Sequence, residues 1–269
     1  MGESLRLLAV LAHPDDESLG FGGTLARYAA EGVQAHLVTA TRGERGRFFA
    51  GRPRPPDDEV GRARELELRA AAEILGIGDV ELLGYPDSEV DRADPVEAST
   101  RIAASLRRLK PQVVITFDPF GAYGHPDHIA ISQLTTAATV AAAAPDPAGA
   151  GRDPPHAVSK LYYMAWTRPT WEAYQSAFRK LVSRVDGEER QVSPWPDWAV
   201  TTRIDTRDHW PTVWRAVRCH RSQLSVYEGL ERLSPEHHQA LWGSQEFYRA
   251  YSLVNGGRAL ETDLFEGLR

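Results

Sequence analysis

Continuous apolar runs alternate with amphipathic stretches through the first half of the chain. Leu5–Leu11 is apolar except for Arg6, and Val113–Phe117 is apolar except for Thr116. Such short runs are typical of strands buried on both faces of a parallel sheet. Val33–Thr41 is rich in β-branched residues and Asp79–Tyr85 is bounded by turn residues, so both are predicted as further strands.

Apolar residues recur at helical spacing between and after these strands. The predicted helices are Ser18–Glu31, Val60–Leu75, Pro95–Leu109 and 127 to about 144. Ser18 is placed as an N-cap, Gly76 and Gly78 as helix stops, and Pro126 in a first helical turn. Alternating strands and helices predict an α/β fold, a Rossmann-like three-layer sandwich with a mostly parallel central sheet.

The second half of the chain is less regular. Strands are predicted over Lys160–Thr167 and Trp198–Thr206, helices over Asp208–Gln223 and Pro235–Ala250, and a last short strand within Tyr248–Asn255. We expect the later strands to extend one edge of the sheet. The predicted organisation is one domain over 1–269, with a catalytic βα core in 1–145 and the edge strands, an insert and C-terminal helices in 146–269.

Three irregular segments interrupt this pattern. Residues 42–59 hold many Gly and Pro and leave the sheet at the edge where a ligand would bind, so they are interpreted as a substrate-facing loop. Residues 145–156 are interpreted as a flexible loop, and 168–197 as a helix followed by an irregular insert.

Composition and charge exclude several classes of protein. The chain has 269 residues, 42% hydrophobic and 25% charged, as in ordinary globular proteins. The net charge of −6 and the absence of a basic run interleaved with aromatics argue against nucleic-acid binding. We expect no signal peptide and no membrane span, and the lone Cys219 fits a reducing compartment, so the expected location is cytoplasmic.

Imidazoles and carboxylates cluster directly after two of the predicted strands. His13, Asp15, Asp16 and Glu17 follow the first strand, and the segment His125–His128 follows the fourth. Since the carboxyl ends of parallel strands share one rim of the sheet, these groups are expected to meet there. Two imidazoles and a carboxylate with an open position suit a catalytic zinc site, although iron, cobalt or nickel stays open. The surplus acids and imidazole could supply the base, acid and orienting groups for hydrolysis of an amide.

The motifs that carry these groups, AHPDDE at 12–17 and GHPDH at 124–128, resemble the paired motifs of the PIG-L/LmbE-like zinc N-acetylglucosaminyl deacetylases. The likeness extends to TRGERG at 41–46 and is closest in motif detail to the mycothiol-pathway deacetylase and amidase branch. It implies a hydrolase that removes the N-acetyl group from an N-acetylglucosamine-type conjugate. It also implies one Zn²⁺ per chain, with Fe²⁺ or another divalent metal left open.

Position by position, the resemblance implies roles for the motif residues. It implies His13, Asp16 and His128 as metal ligands and Asp15 as the general base. His125 would be the general acid or an oxyanion stabiliser, with Asp127 as its partner. Arg64 and Asp87 match positions that bind the substrate, and Tyr123 matches a tyrosine that polarises the amide carbonyl. From local sequence alone, a solvated helix face is the default for Arg64, a turn is the first interpretation of Asp87, and loop packing is open for Tyr123. His220 is predicted to pack its helix near the site.

Two other interpretations stay open. The chain could be an amidase for another amide, such as a thiol S-conjugate or an acylated antibiotic sugar, because those substrates would differ in the loops and not in the motifs. It could also be a non-catalytic sugar- or nucleotide-binding module, although the full set of acids and imidazoles speaks against this. The expected partner is a small-molecule amino-sugar conjugate, without nucleic acid or membrane, and a homo-oligomer stays open because such folds often assemble.

Overall fold

In the computed structural model, the residues described are 4–49, 53–145, 153–178, 183–185, 187–190, 193–224 and 228–269. The strands in chain order are β1 (Arg6–Leu11), β2 (Gln34–Thr39), β3 (Ile77–Leu82), β4 (Val113–Thr116), β5 (Lys160–Met164), β6 (Ser183–Val185), β7 (Glu188–Arg190), β8 (Thr202–Asp205) and β9 (Ser244–Ser252). The helices are α1 (Asp16–Leu19), α2 (Gly22–Ala30), α3 (Asp57–Leu75), α4 (Pro95–Leu109), α5 (Gly121–Gly124), α6 (Pro126–Ala143), α7 (Arg168–Phe178), α8 (Trp210–Val217), α9 (Glu228–Glu231) and α10 (Pro235–Trp242).

The main sheet has the strand order β3-β2-β1-β4-β5-β9-β8. Neighbouring strands from β3 to β5 pair in parallel, whereas β9 pairs antiparallel with both β5 and β8. This confirms the predicted α/β fold with a mostly parallel sheet whose later strands extend one edge. β6 and β7 form a separate antiparallel pair within the insert.

The centre of the sheet is its most apolar part. Leu7–Leu11 in β1 have no exposed surface, because helices cover both faces of a parallel strand. β1 and β4 are hydrogen-bonded neighbours that run in the same direction, so the turns that follow them leave the sheet side by side. This pairing brings the two polar motifs to one rim.

The helix predicted from Ser18 is divided in the structure. Asp15, not Ser18, occupies the N-cap position of α1, and a second helix starts at Gly22. Glycine allows close packing at this break, because a Cβ at Gly23 would lie only 2.8 Å from the Thr206 side chain. The break therefore serves the contact of this segment with the second half of the chain.

Other predicted boundaries also shift. α3 ends at Gly76, which has φ 76°, while Gly78 lies inside β3 and stops nothing. Three acidic residues start α3 at Asp57, inside the segment predicted as a loop, because carboxylates favour a helix N-terminus. Of the helix predicted over 208–223, only α8 is helical in the structure. The strand predicted over 198–206 begins as a 3₁₀ turn and continues as β8. Residues 50–52 and 146–152 of the predicted loops lie outside the described residues.

The largest error concerns residues 235–250, predicted as one helix. α10 ends at Trp242, and β9 begins at Ser244 and pairs with β5 and β8. Phe247, Tyr248 and Tyr251 favour a strand, and the two neighbouring strands supply the hydrogen-bond partners that fix it.

One buried carboxylate ties the outer strands to the C-terminal segment. Glu261 is 1% exposed. Its oxygens accept hydrogen bonds from Lys160 Nζ in β5 at 2.7 Å and from Thr202 Oγ1 in β8 at 2.7 Å, and further ones from Tyr162, Arg249 and Asn255. Although burial by itself raises it, these hydrogen bonds lower the pKa of Glu261 to about 2.

Acid should therefore weaken the fold through Glu261. A lowered carboxyl pKa stabilises the folded state fully above the usual pKa of 4.5, and this contribution is lost as the pH falls toward about 2. We expect Glu261→Gln to lower the free energy of unfolding at pH 7 by about 3–5 kcal/mol, because it breaks a buried ion pair. Urea unfolding at pH 7 and pH 3 gives the free energy of unfolding at each pH. The difference between these two free energies should be smaller in Glu261→Gln than in wild type. Exposed Glu266→Gln is the matched control. If the free energy of unfolding changed equally between pH 7 and pH 3 in wild type and in Glu261→Gln, the prediction would be contradicted.

None of the helices formed by the described residues combines the length and apolar character that a membrane crossing requires. The division into one domain, the cytoplasmic location and the oligomeric state stay predictions.

Candidate metal and catalytic site

The turn after β1 is shaped around its own carboxylates. Asp15 has φ 106°, a left-handed conformation that is costly for a residue with a Cβ and is typically kept at functional sites. Asp16 Oδ2 accepts hydrogen bonds from the backbone N–H groups of His13 at 2.7 Å and Ala12 at 3.2 Å. These bonds fix the Asp16 carboxylate beside the His13 ring.

The turn after β4 is held by Asp118, which is 3% exposed. One of its oxygens accepts the N–H of Ala122 at 2.7 Å and the other accepts the indole N–H of Trp195 at 2.8 Å. Ala122 has φ 62° and ψ −72°, which interrupts α5 and turns the chain toward His125 at the N-cap of α6. Trp195 belongs to the predicted insert, which therefore supports the loop that carries the second motif.

Ligand-type atoms of three residues converge where the two turns meet. His13 Nδ1 lies 3.2 Å from His128 Nε2 and 3.6 Å from Asp16 Oδ2, and His128 Nε2 lies 3.5 Å from Asp16 Oδ1. Ligands at tetrahedral angles and about 2.0–2.2 Å from Zn²⁺ would be about 3.3–3.5 Å apart. The spacing of these three side chains is therefore compatible with one divalent ion.

Among the described residues, two groups have ligand-type atoms that all lie within 4.8 Å of one another: His13 with His125 and His128, and His13 with Asp87 and Asp127. Neither group contains Asp16. The set His13, Asp16 and His128 stays a prediction, and the distances between their side-chain atoms support it. The group with Asp87 and Asp127 arises from the contacts of the second ring nitrogen of His13.

The second nitrogen of His13 faces two carboxylates. Nε2 lies 3.0 Å from Asp127 Oδ2 and 3.3 Å from Asp87 Oδ1. A proton on Nε2 leaves the Nδ1 lone pair free for a metal, which is the usual carboxylate–histidine–metal arrangement. Asp127 was expected to partner His125, but its carboxylate binds His13 and only its backbone N–H contacts His125. Asp87, expected to contact substrate, lines the pocket with a carboxylate that already contacts His13.

Burial and neighbouring charges set the protonation of these groups. Although burial by itself lowers it, hydrogen bonds to Asp127 and Asp87 and the charge of Asp16 raise the pKa of His13. Burial raises the pKa of Asp16, and burial with the nearby imidazoles lowers that of His128. A bound cation would stabilise the ionised carboxylate and the neutral imidazoles, which are the forms that coordinate metals.

Arg64 holds the Asp15 turn. Its guanidinium donates to the carbonyl oxygens of Gly43 at 2.7 Å and of Pro14, and Nη2 lies 3.0 Å from Asp15 Oδ2. A Cβ at Gly43 would collide with this guanidinium, so glycine is needed where the 41–46 segment crosses it. Arg64 was expected to bind substrate; it lines the pocket, but it is 4% exposed and the described contacts direct it to the catalytic turn.

His125 and Tyr123 lie against the ring of His128. The His125 ring stacks on His128 with ring centroids 4.8 Å apart, and the Tyr123 ring contacts His128 edge-on at 5.3 Å. His125 Nδ1 accepts the backbone N–H of Asp127 at 3.2 Å, so the neutral ring carries its proton on Nε2. Burial and the charge of His13 lower the pKa of His125 to about 4, and burial raises that of Tyr123. Both side chains are therefore neutral hydrogen-bond donors near pH 7.

A buried ion pair behind the Asp15 turn was not predicted as such from the sequence. Glu17 and His220 have no exposed surface, and Glu17 Oε1 lies 2.8 Å from His220 Nε2. The other Glu17 oxygen accepts the backbone N–H of Asp15 at 2.9 Å. Although burial opposes both charges, their attraction lowers the pKa of Glu17 and raises that of His220. The expectation that His220 packs near the site without binding metal agrees with this geometry.

Removing one member of this pair should destabilise the protein. We expect Glu17→Leu to lower the free energy of unfolding by about 3–5 kcal/mol, because it leaves His220 buried without its counter-charge. Glu17→Gln should cost less, since an amide oxygen can still accept from His220. Urea unfolding of both variants beside exposed Glu73→Leu provides the measurement, and a Glu17→Leu cost within about 0.5 kcal/mol of that control would refute the role.

One pocket opens onto these groups. Its volume is about 290 Å³, at the low end of the about 300–1,000 Å³ of small-molecule sites. The predicted site residues that line it are His13, Asp15, Asp16, Arg64, Asp87, Tyr123, His125 and His128. Asp127 lies behind His13, with no exposed surface. The pocket also has a cluster of apolar residues from β5 and α7, which the sequence did not indicate.

Comparison with known proteins identifies the family of this chain. The sequence model of the PIG-L family, described as GlcNAc-PI de-N-acetylase, matches residues 8–139. A 1D-myo-inositol 2-acetamido-2-deoxy-alpha-D-glucopyranoside deacetylase from Kineococcus radiotolerans is 37% identical over 98% of this chain and 83% of its own length.

Solved structures show how widely the fold is shared. N,N′-diacetylchitobiose deacetylase from Pyrococcus horikoshii matches with a TM-score of 0.69 and 20% identity, covering 92% of this chain and 84% of that one. 4-Carboxy-2-hydroxymuconate hydratase from Pseudomonas putida KT2440 matches with a TM-score of 0.66 and 22% identity, over 95% and 100%. At these identities the fold alone is shared, and it carries more than one reaction. On the near full-length match to the Kineococcus relative together with the family match, the chain belongs to the PIG-L family.

Proposed function

We propose that the protein is a zinc-dependent N-deacetylase of an N-acetylglucosamine-type conjugate. The observation that carries this proposal is the close approach of His13 Nδ1, His128 Nε2 and the two oxygens of the Asp16 carboxylate, at 3.2–3.6 Å, in a pocket that Asp15 also lines. When bound, the metal would supply a Lewis acid that makes water more acidic and polarises an acyl carbonyl. Zinc is chosen because two imidazoles and one carboxylate with an open position are its usual catalytic ligands.

Asp15 is the group placed to take a proton from the attacking water. Its carboxylate lines the pocket next to the ligand Asp16, and Arg64 holds it from behind at 3.0 Å. An ionised carboxylate is the form that a general base requires. The backbone of Asp15 is left-handed, and its N–H donates to Glu17 at 2.9 Å.

His125 is placed to stabilise the oxyanion. Since the ring is neutral and its Nδ1 is occupied by a backbone N–H, Nε2–H is the donor available to negative charge that develops on the acyl oxygen. Tyr123 can add a second donor on the same side. The amine then leaves with the proton that Asp15 accepted, so the charges balance. Of the two roles open for His125, the neutral state favours the oxyanion donor.

The relatives suggest the class of substrate. The Kineococcus protein is named for an acetamido-glucopyranoside of inositol. In this chain, Arg45, Ser88 and Gln223 line the pocket with polar groups that could bind sugar hydroxyls. An N-acetylglucosaminyl glycoside fits both observations.

Release of free amine from a panel of N-acetyl compounds tests the function. The panel should hold N-acetylglucosamine, its inositol glycoside, N,N′-diacetylchitobiose and a cysteine-acetylated thiol conjugate, with zinc-loaded protein of measured metal content. We expect amine release from at least one sugar amide. No release from any member by the metal-loaded protein would overturn the proposal.

A further inference from the structure

The pocket has two chemically different walls. The polar wall follows β2 and β3 in sequence and includes one residue from the segment after α8; its members are Arg45, Gly46, Asp87, Ser88 and Gln223. The apolar wall belongs to α1, the end of β5 and the α7 region; its members are Leu19, Met164, Trp166, Tyr174 and Phe178. In the sheet, β2 and β3 lie on one side of the β1–β4 pair and β5 on the other. The walls therefore flank the metal ligands from opposite sides.

The apolar wall offers carbon surface to a ligand. Trp166 and Tyr174 stack with ring centroids 4.4 Å apart, and Tyr174 and Phe178 stack at 5.8 Å. The hydroxyl of Tyr174 donates to the carbonyl oxygen of Leu19, so this polar atom is already bonded within the wall. Sugar hydroxyls placed here would lose their hydrogen bonds with water, whereas an apolar group would gain by leaving water.

The geometry of an amide determines which part of the substrate contacts each wall. The acyl group and the amine project in opposite directions from the carbonyl carbon that reacts at the metal. With the sugar amine on the polar wall, the acyl group faces the apolar wall. An acetyl group has one methyl, while the wall presents five apolar side chains, and flexible Met164 can adapt to chains of different shape.

We propose that the apolar wall is an acyl-binding subsite and that the enzyme prefers N-acyl amino sugars whose acyl group is longer than acetyl, in the range of butyryl to hexanoyl. This inference rests on the amide hydrolysis of the proposed function and extends its substrates from N-acetyl to longer N-acyl groups. The water oxygen bonds to the acyl carbon and the carbon–nitrogen bond breaks. The amine leaves with a proton, and the acyl group leaves as a carboxylate.

The test varies only the acyl group. Methyl glucosaminides that carry N-acetyl, N-propionyl, N-butyryl or N-hexanoyl groups release the same amine, so one assay serves the whole series. A buried methylene contributes about 0.8 kcal/mol, which converts to about a fourfold rise in kcat/KM for each added carbon. We expect such a rise until the chain outgrows the pocket.

A charge in the apolar wall should remove the preference. Phe178 is half-buried at the end of α7, and Phe178→Asp is expected to bring the butyryl-to-acetyl ratio of kcat/KM from about 16 toward about 1, two carbons at fourfold each. The ratio is taken within one preparation, so partial loss of folded protein does not affect it. Leu253→Asp is the matched control at an exposed leucine outside the pocket, and it should keep the wild-type ratio.

The outcomes separate this inference from the proposed function. Cleavage of the acetyl compound with slower cleavage of every longer one overturns the acyl subsite and leaves the deacetylase standing. A rise with chain length that Phe178→Asp does not flatten overturns the assignment to this wall. No cleavage of any member by metal-loaded protein overturns both.

Discussion

Asp15→Asn is expected to lower kcat for amide hydrolysis by about 10²–10⁴-fold while the protein still binds its metal. An amide cannot accept the proton of the attacking water, but it has the shape of the carboxylate and can still contact Arg64. The proposed ligands are His13, Asp16 and His128, so the metal content should stay at the wild-type level. Amine release and metal content measured on the same preparation provide both readouts.

Exposed Asp91→Asn, which makes the same chemical change away from the pocket, serves as the control. Activity of Asp15→Asn within tenfold of wild type would remove Asp15 from the role of general base. Loss of metal in this variant would instead place Asp15 among the groups that hold the ion.

The second large effect concerns the ligands themselves. His128→Gln is expected to weaken metal binding by more than about 100-fold and to remove activity with it, because one of three protein ligands is lost. Asp127→Asn should weaken binding by about 10–100-fold, the usual cost of removing a carboxylate that orients a ligating histidine. Titration with zinc against a competing chelator measures both affinities.

Exposed His237→Gln provides the control for replacing a histidine, and far-UV circular dichroism checks that each variant is folded. If His128→Gln bound zinc as tightly as wild type, the ligand set would be wrong. If Asp127→Asn had no effect while His128→Gln did, the Asp127–His13 contact of 3.0 Å would not orient the ligand.

Sequence patterns identified the fold because its determinants are local. The apolar runs of β1 and β4 and the periodicity of α4 needed no knowledge of the rest of the chain, and the predicted bounds of α4 match the structure. The same patterns failed at 235–250, where either structure was locally possible. There the hydrogen-bonding edges of β5 and β8 favour the strand.

For the candidate site, sequence indicated which residues gather but not how they pair. Two motifs after parallel strands were sufficient to predict that His13, Asp16 and His128 meet. Local sequence could not tell that Asp127 would bind His13 and leave only its backbone N–H to His125, since that choice depends on the side-chain directions at the meeting of two turns.

By itself, then, the sequence determined the parallel core and the chemical content of its rim, because hydrophobic period and ligand type are properties of neighbouring residues. Only the tertiary structure decided that Arg64 supports Asp15, that Glu17 finds His220, and that β5 and α7 supply an apolar wall. These contacts join distant parts of the chain. The partner of a buried charge, or of a pocket side chain, is the residue that the fold brings within a few ångströms. A local sequence pattern does not encode this proximity.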